Sequence, residues 1–184
     1  MNLVVGITGA TGAVYGVRLL ECLAEYKEIK THLIISEFGS KTIQIETEYT
    51  LEYVKELADY VYDNNALDAR ISSGSFLTDG MVILPCSMKT LASIANGFCE
   101  NLIARAADVT IKEGRRLVLC ARETPLNAIA LENMLKLSRI GVRIVPPMPA
   151  FYNKPKTIDD IISHSIMKIL DQLGIQNQAS QRWN

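Results

Sequence analysis

The sequence predicts an α/β domain: a doubly wound, mainly parallel sheet flanked by helices. Short β-branched apolar runs alternate with longer amphipathic stretches, and turn or cap residues bound each run. A glycine-rich turn joins the first run to the first helical stretch, as in βαβ units. The chain has 184 residues, 48% hydrophobic and 21% charged, enough for one sizeable core. Residues 1–175 are expected to form that single domain and 176–184 a polar tail.

In chain order, Leu3-Val4-Val5-Gly6-Ile7 reads as the first buried strand. The next helix places Val17, Leu20 and Leu23 or Ala24 on one face. Leu33-Ile34-Ile35 is the second strand, followed later by a helix over 51–59. Residues 63–80 are rich in Ser, Asn, Asp and Gly and read as a long loop, a kind usually functional or mobile. Met81-Val82-Ile83-Leu84, Leu117-Val118-Leu119 and Val142-Arg143-Ile144-Val145 are the remaining strands. Pro146-Pro147-Met148-Pro149 cannot be helical and marks a stiff extended crossing. From Thr157 to Leu173, Ile158, Ile161, Ile162, Ile169, Leu170 and Leu173 form a stripe, with Asp159 and Asp160 in the first turn, where the helix dipole favours them. Trp183 in the tail suits a fold-back onto its own subunit and an intersubunit anchor equally well.

Composition excludes several functions. With 19 basic and 20 acidic side chains the chain has no electrostatic footprint for sequence-independent nucleic-acid binding. Cys22, Cys86, Cys99 and Cys120 are widely spaced, and only His32 and His164 accompany them, so no metal site is expected. Each cysteine lies in an apolar stretch, the setting of a buried thiol in a reducing compartment. No apolar run approaches the ~20 residues of a membrane span, and no signal peptide opens the chain. A cytoplasmic protein is expected.

Three clusters carry chemistry. Gly6-Ile7-Thr8-Gly9-Ala10-Thr11-Gly12-Ala13 lets a ligand approach the backbone, and N–H groups at the helix start attract phosphate. The same glycines also serve close helix packing, and with Glu37 they match a dinucleotide fingerprint. Pro85-Cys86-Ser87-Met88-Lys89-Thr90 follows the third strand; Ser87 is placed as an N-cap, and a nucleophilic Cys86 lacks a nearby histidine. Arg122-Glu123-Thr124-Pro125 follows the fourth strand. There Arg122 offers a donor fork and Glu123 an acid or base, or the two form an ion pair. Arg105 and Lys112 lie two turns apart on one helical face, either solvated or clamping a phosphate.

Together these words resemble the flavin prenyltransferase family, UbiX and its relatives in phenolic-acid decarboxylase operons. The resemblance spans nearly the whole chain. It includes Gly9-Ala10-Thr11-Gly12, Ser73-Gly74-Ser75, Pro85-Cys86-Ser87-Met88-Lys89-Thr90-Leu91, Arg105-Ala106-Ala107-Asp108-Val109, Arg122-Glu123-Thr124-Pro125-Leu126, Leu131-Glu132-Asn133-Met134-Leu135 and Pro149-Ala150-Phe151-Tyr152. It implies a Rossmann-like flavoprotein fold and metal-independent transfer of the dimethylallyl group of dimethylallyl monophosphate to N5 and C6 of reduced FMN. It further implies delivery of prenylated FMN to a UbiD-type decarboxylase, and a site built between subunits of a large homo-oligomer, typically a dodecamer.

By the same resemblance, FMN falls to Gly9, Ala10, Thr11, Ser36, Ser87, Met88, Lys89, Thr90 and Arg122. The prenyl phosphate falls to Arg105, Lys112, Tyr152 and Lys168, with the Ser73-Gly74 loop closing over it. Ring closure needs a base for the C6 proton, a role open to Glu123 or to the departing phosphate, and the resemblance implies Glu46 and Thr11 in the same proton relay. Thr11 stands where many relatives carry serine, Lys168 where some carry arginine, and Ala130 where histidine is frequent. Rival readings are a non-catalytic flavin-binding partner subunit, a nicotinamide-binding oxidoreductase, and a cysteine decarboxylase. The second rests on the glycine loop and Glu37; the third lacks the first-helix histidine and the Pro-x-Met-Asn motif.

Overall fold

Six strands, β1 (Asn2–Ile7), β2 (Lys30–Ile35), β3 (Tyr60–Tyr62), β4 (Gly80–Cys86), β5 (Arg116–Ala121) and β6 (Arg143–Ile144), pair in the order β3-β2-β1-β4-β5-β6 in the computed structural model. Every neighbouring pair is parallel. The structure describes residues 1–180 and 182. Among the described residues seven α-helices accompany the sheet, α1 (Ala13–Ala24), α2 (Glu37–Glu46), α3 (Leu51–Glu56), α4 (Met88–Ala95), α5 (Leu102–Lys112), α6 (Ala128–Arg139) and α7 (Ile158–Leu173), with one 3-10 turn at Arg70–Ser72. This is the doubly wound, Rossmann-like arrangement expected from the alternating pattern.

Because side chains alternate across a strand, each strand feeds two cores. Leu3, Val5, Ile7, Leu33, Val82, Leu84, Val118 and Cys120 pack on one face against α1, α2, α3 and α7. Val4, Ile34, Met81, Ile83, Cys86, Leu117 and Leu119 pack on the other against α4, α5 and Leu137 of α6. Burial on both sides is why these strands read as continuous apolar runs rather than alternating ones.

Two expectations need correction. The helix expected over 51–59 ends at Glu56, and an unexpected edge strand, β3, follows it. The Asp59 carboxylate accepts hydrogen bonds from Lys30 Nζ (2.7 Å) and the Thr31 N–H (2.9 Å), which turns the chain alongside β2. Three residues are too few to carry a periodicity, and Tyr60 and Val61 stay exposed, as on an edge. The last strand, expected over 142–145, contracts to Arg143–Ile144, although the Val145 N–H still reaches Leu119 O at 2.9 Å. Thr157 caps α7 as part of a capping box with Asp160, at the start read from the sequence.

The described part of the tail returns to α7. Asn177 Nδ2 donates to Asp171 Oδ1 at 3.1 Å, and Arg182 pairs with Asp171 at 2.7 Å. Trp183 lies outside the described residues. A different surface is left uncovered: α6 buries only Ala130 and Leu137, while Ile129 (70% exposed), Leu131 and Leu135 face outward. Leu131 and Leu135, one turn apart, share a face of α6, and exposed apolar side chains so placed suit an interaction surface.

Close helix–strand approach positions the ligand side of the sheet. A Cβ on Gly39 would lie 2.6 Å from the carbonyl oxygen of Ile7, and backbone cannot swing aside as a side-chain tip can. Gly39→Ala is therefore expected to cost about 1–3 kcal/mol of overpacking. At this chain length that lowers Tm by about 2–4 °C for each kcal/mol, readable by thermal melting. An unchanged Tm would show that α2 is free to shift.

Candidate functional site

The strand order reverses between β1 and β4, and a crevice opens there at the carboxyl ends of the strands, where open α/β sheets bind ligands. The cleft holds about 1010 Å³ and is lined by Thr8, Gly9, Ser36, Ser87, Lys89 and Thr90, among others. That is ample for a nucleotide-sized cofactor. Two helix starts enter it. Ser36 Oγ caps α2 by accepting from the Gly39 N–H at 3.0 Å, and Ser87 Oγ caps α4 by accepting from the Thr90 N–H at 3.3 Å. Both N-termini present N–H groups and positive dipole ends, the donor set a phosphorylated ligand needs.

Thr8, which sequence reasoning did not single out, holds the two sides together. Its buried hydroxyl donates to Pro85 O at 2.8 Å and accepts from the Ser87 N–H at 2.8 Å, tying the end of β1 to the start of α4. The signal was a lone hydroxyl at the end of an apolar strand. Gly9 is required by space, since its Cβ would meet Phe38 Cβ at 2.3 Å.

The α1 N-terminus is already occupied, which corrects the expectation that its N–H groups await a phosphate. Glu46 Oε2 accepts from the Gly12 N–H at 2.7 Å and the Ala13 N–H at 3.1 Å. Partial burial pushes the Glu46 carboxyl up. Hydrogen bonds from Thr11, Gly12 and Ala13, with the nearby Arg122 charge, outweigh that and hold it below its usual range. Glu46 is thus an ionised carboxylate bonded to the Thr11 hydroxyl. Ala10, Thr11 and Arg122 stand outside the cleft wall, and the Met88 side chain packs against the core. Lys89 pairs with Glu100 at 3.1 Å, both being cleft residues.

Arg122 and Glu123 form no ion pair with each other among the described residues. Glu123 Oε1 instead accepts from the Thr124 N–H at 2.9 Å, and its side chain is not joined to the Thr11–Glu46 network by a hydrogen bond. Cys86 is fully buried and burial pushes its thiol up to about 12, so it is no nucleophile. Glu37 pairs with Lys41 at 2.6 Å.

The residues implied for the prenyl phosphate form two groups. Arg105 Nε donates to Ser72 O at 3.1 Å while its Nη1 pairs with Asp108 at 2.9 Å. Lys112 pairs with Glu113, and this pair sits against Gly74, where a Cβ would be 2.9 Å from Lys112 Nζ. Arg115, unremarked in the sequence, fastens the same loop by donating to Gly74 O (2.7 Å), Phe76 O (3.0 Å) and Thr78 Oγ1 (3.1 Å). Nothing in sequence spacing distinguishes it from a solvated arginine. Ser73, Gly74, Arg105 and Lys112 therefore lie together beside α5. Tyr152 and Lys168 lie with α7, which covers the opposite face of the sheet. One chain does not unite them.

A protein-family model described as Flavoprotein matches residues 1–170. A probable UbiX-like flavin prenyltransferase of Streptomyces sp. (strain D7) is 57% identical over 183 residues, covering 100% of this chain and 92% of that protein. Among solved structures, a dodecameric FMN-dependent UbiX-like decarboxylase from Escherichia coli O157:H7 superposes with a TM-score of 0.99 at 54% identity, covering 100% of both chains. AnUbiX in complex with FMN and dimethylallyl pyrophosphate gives a TM-score of 0.97 at 50% identity, over 100% of this chain and 97% of the other. With a cleft at the switch point and identity above one half along its full length, the chain belongs to the flavoprotein family and, within it, to the UbiX-like flavin prenyltransferases.

Proposed function

We propose that this chain is a flavin prenyltransferase joining the dimethylallyl group of dimethylallyl monophosphate to N5 and C6 of reduced FMN, and that its product serves a UbiD-type decarboxylase. The observation that carries the reading is the full-length match to flavin prenyltransferases in a chain whose switch-point cleft presents two capped helix starts. When bound, reduced FMN supplies an electron-rich acceptor for an allylic carbon. Gly9, Ser36, Ser87, Lys89 and Thr90 hold it in the cleft, with the backbone at Ala10 and Met88 and the fork of Arg122 at its margin.

Cleaving an allylic C–O bond leaves added negative charge on the departing phosphate. Arg105, Lys112 and Lys168 are cations suited to that charge, and Tyr152 and Ser73 add hydroxyls, so preorganised donors stabilise the change. Gly74 lets the loop lie against Lys112, and closure of the loop excludes water. Glu46, ionised and bonded to Thr11, is the base that accepts the proton released on ring closure, while Glu123 has no hydrogen bond to that pair within one subunit.

The two phosphate-binding groups belong to different faces of one subunit, so the working site takes them from different subunits. We propose a homo-oligomer, a dodecamer as described for the Escherichia coli relative, with the apolar face of α6 covered in it. Among the described residues no helix is long and apolar enough to cross a membrane. Our reading places the enzyme in the cytoplasm.

Purified protein incubated anaerobically with reduced FMN and dimethylallyl monophosphate should return a flavin heavier by one dimethylallyl unit in mass spectrometry. An unchanged flavin mass, with FMN demonstrably bound, would overturn the transferase reading.

A further inference from the structure

His164 is on α7, and its side chain lies beneath Tyr152. Its Nε2 stands 2.7 Å from the Tyr152 hydroxyl, and the two rings meet edge to face with centroids 5.4 Å apart. The residue is 6% exposed. Lys168 follows one turn later, so its stem rises from the same helix face. Nothing in the function proposed above accounts for the histidine. A phenylalanine would fill that space without burying polar nitrogens.

The buried nitrogens decide how the histidine acts. His164 Nδ1 has no hydrogen-bond partner among the described residues. Burial lowers the tendency of the imidazole to protonate, and the Lys168 charge adds to this, so the ring is neutral at physiological pH. A neutral ring carries one hydrogen. If that hydrogen sat on Nδ1, a buried N–H would have no acceptor, the rarer and costlier orphan; a bare Nδ1 lone pair is the more tolerable one. The hydrogen therefore belongs on Nε2, which donates to the Tyr152 oxygen. The phenol's own hydrogen is thereby directed away from His164.

We infer that His164 is a positioning residue that sets Tyr152 as a hydrogen-bond donor to the phosphate of the prenyl substrate. The inference rests on the proposed placement of Tyr152 at that phosphate. Without the imidazole N–H, the phenol oxygen loses that donor and its hydrogen can turn inward toward α7. Lys168 alone then supplies charge but no fixed direction on this side.

The test measures dimethylallyl monophosphate binding by calorimetry to protein loaded with oxidised FMN, alongside kcat and KM with reduced FMN. His164→Phe should weaken binding and raise KM by roughly 5–20-fold, the loss of one oriented hydrogen bond to a charged group, with kcat within about twofold. FMN affinity should not change. His164→Gln, which restores an N–H donor, should recover most of the loss, which a purely space-filling role would not allow. Tyr152→Phe should match His164→Phe, and the double variant should be no worse than either, since both remove one contact. Wild-type substrate affinity in both His164 variants, or losses that multiply in the double variant, overturns the role of His164 alone. Unchanged affinity in Tyr152→Phe overturns the phosphate placement beneath it.

Discussion

Glu46→Gln is expected to lower kcat by about 10²–10³-fold while FMN affinity stays close to wild type. The amide oxygen of glutamine can still accept from the Gly12 and Ala13 N–H groups, which the carboxylate holds at 2.7 and 3.1 Å. The helix start thus stays capped. What disappears is the negative charge, worth about 0.3–1 kcal/mol at an exposed helix N-terminus, too little to unfold a domain of this size. A loss of hundreds-fold in rate must then come from the missing base. The pH dependence has a definite sign. Because the native pKa of Glu46 lies below its ordinary value, its contribution to stability is complete above the unfolded-state pKa. It fades only as pH falls through the lower native one. Between pH 6 and 8 neither activity nor stability should report its titration. Stopped-flow and steady-state rates on the FMN-loaded variant check the first claim; a kcat within threefold of wild type would remove Glu46 from the relay.

The same residue shows what a single sequence reveals. The glycine turn and strand runs announced the βαβ start, because burial on both faces forces β-branched runs and a close turn forces glycine. Ser87 was readable as a cap for the same local reason. That Glu46 closes over the α1 N-terminus was not readable, since 33 residues separate it from Ala13 and no periodicity links them. Thr8, Arg115 and His164 escaped likewise: each acts through one long-range contact that three-dimensional packing creates. Even β3, held by Asp59 reaching back to Thr31, depends on such a contact. Local chemistry placed the ligand end of the sheet, and the residue roles came from the resemblance.

Arg105→Ala and Tyr152→Phe with Lys168→Ala should each abolish most activity alone, yet restore it when the two chains are co-assembled. Arg105 rises from α5 beside Ser72, whereas Tyr152 sits with His164 of α7 across the sheet. If each phosphate site takes Arg105 from one subunit and Tyr152 with Lys168 from another, random mixing of equal amounts leaves about one site in four with both halves intact. That recovery exceeds the residual activity of either parent, for a charge removed from around a phosphate costs about 10²–10³-fold. Mixing assembled oligomers without subunit exchange should restore nothing, because no new interface forms. The apolar surface of Ile129, Leu131 and Leu135 supplies an independent control. Charged substitutions there should disperse the oligomer and silence even the wild-type side chains, as sedimentation and activity measured together would show. Failure of co-assembled chains to exceed their parents would mean that one subunit, by moving α7 or the 63–79 loop, completes the site alone.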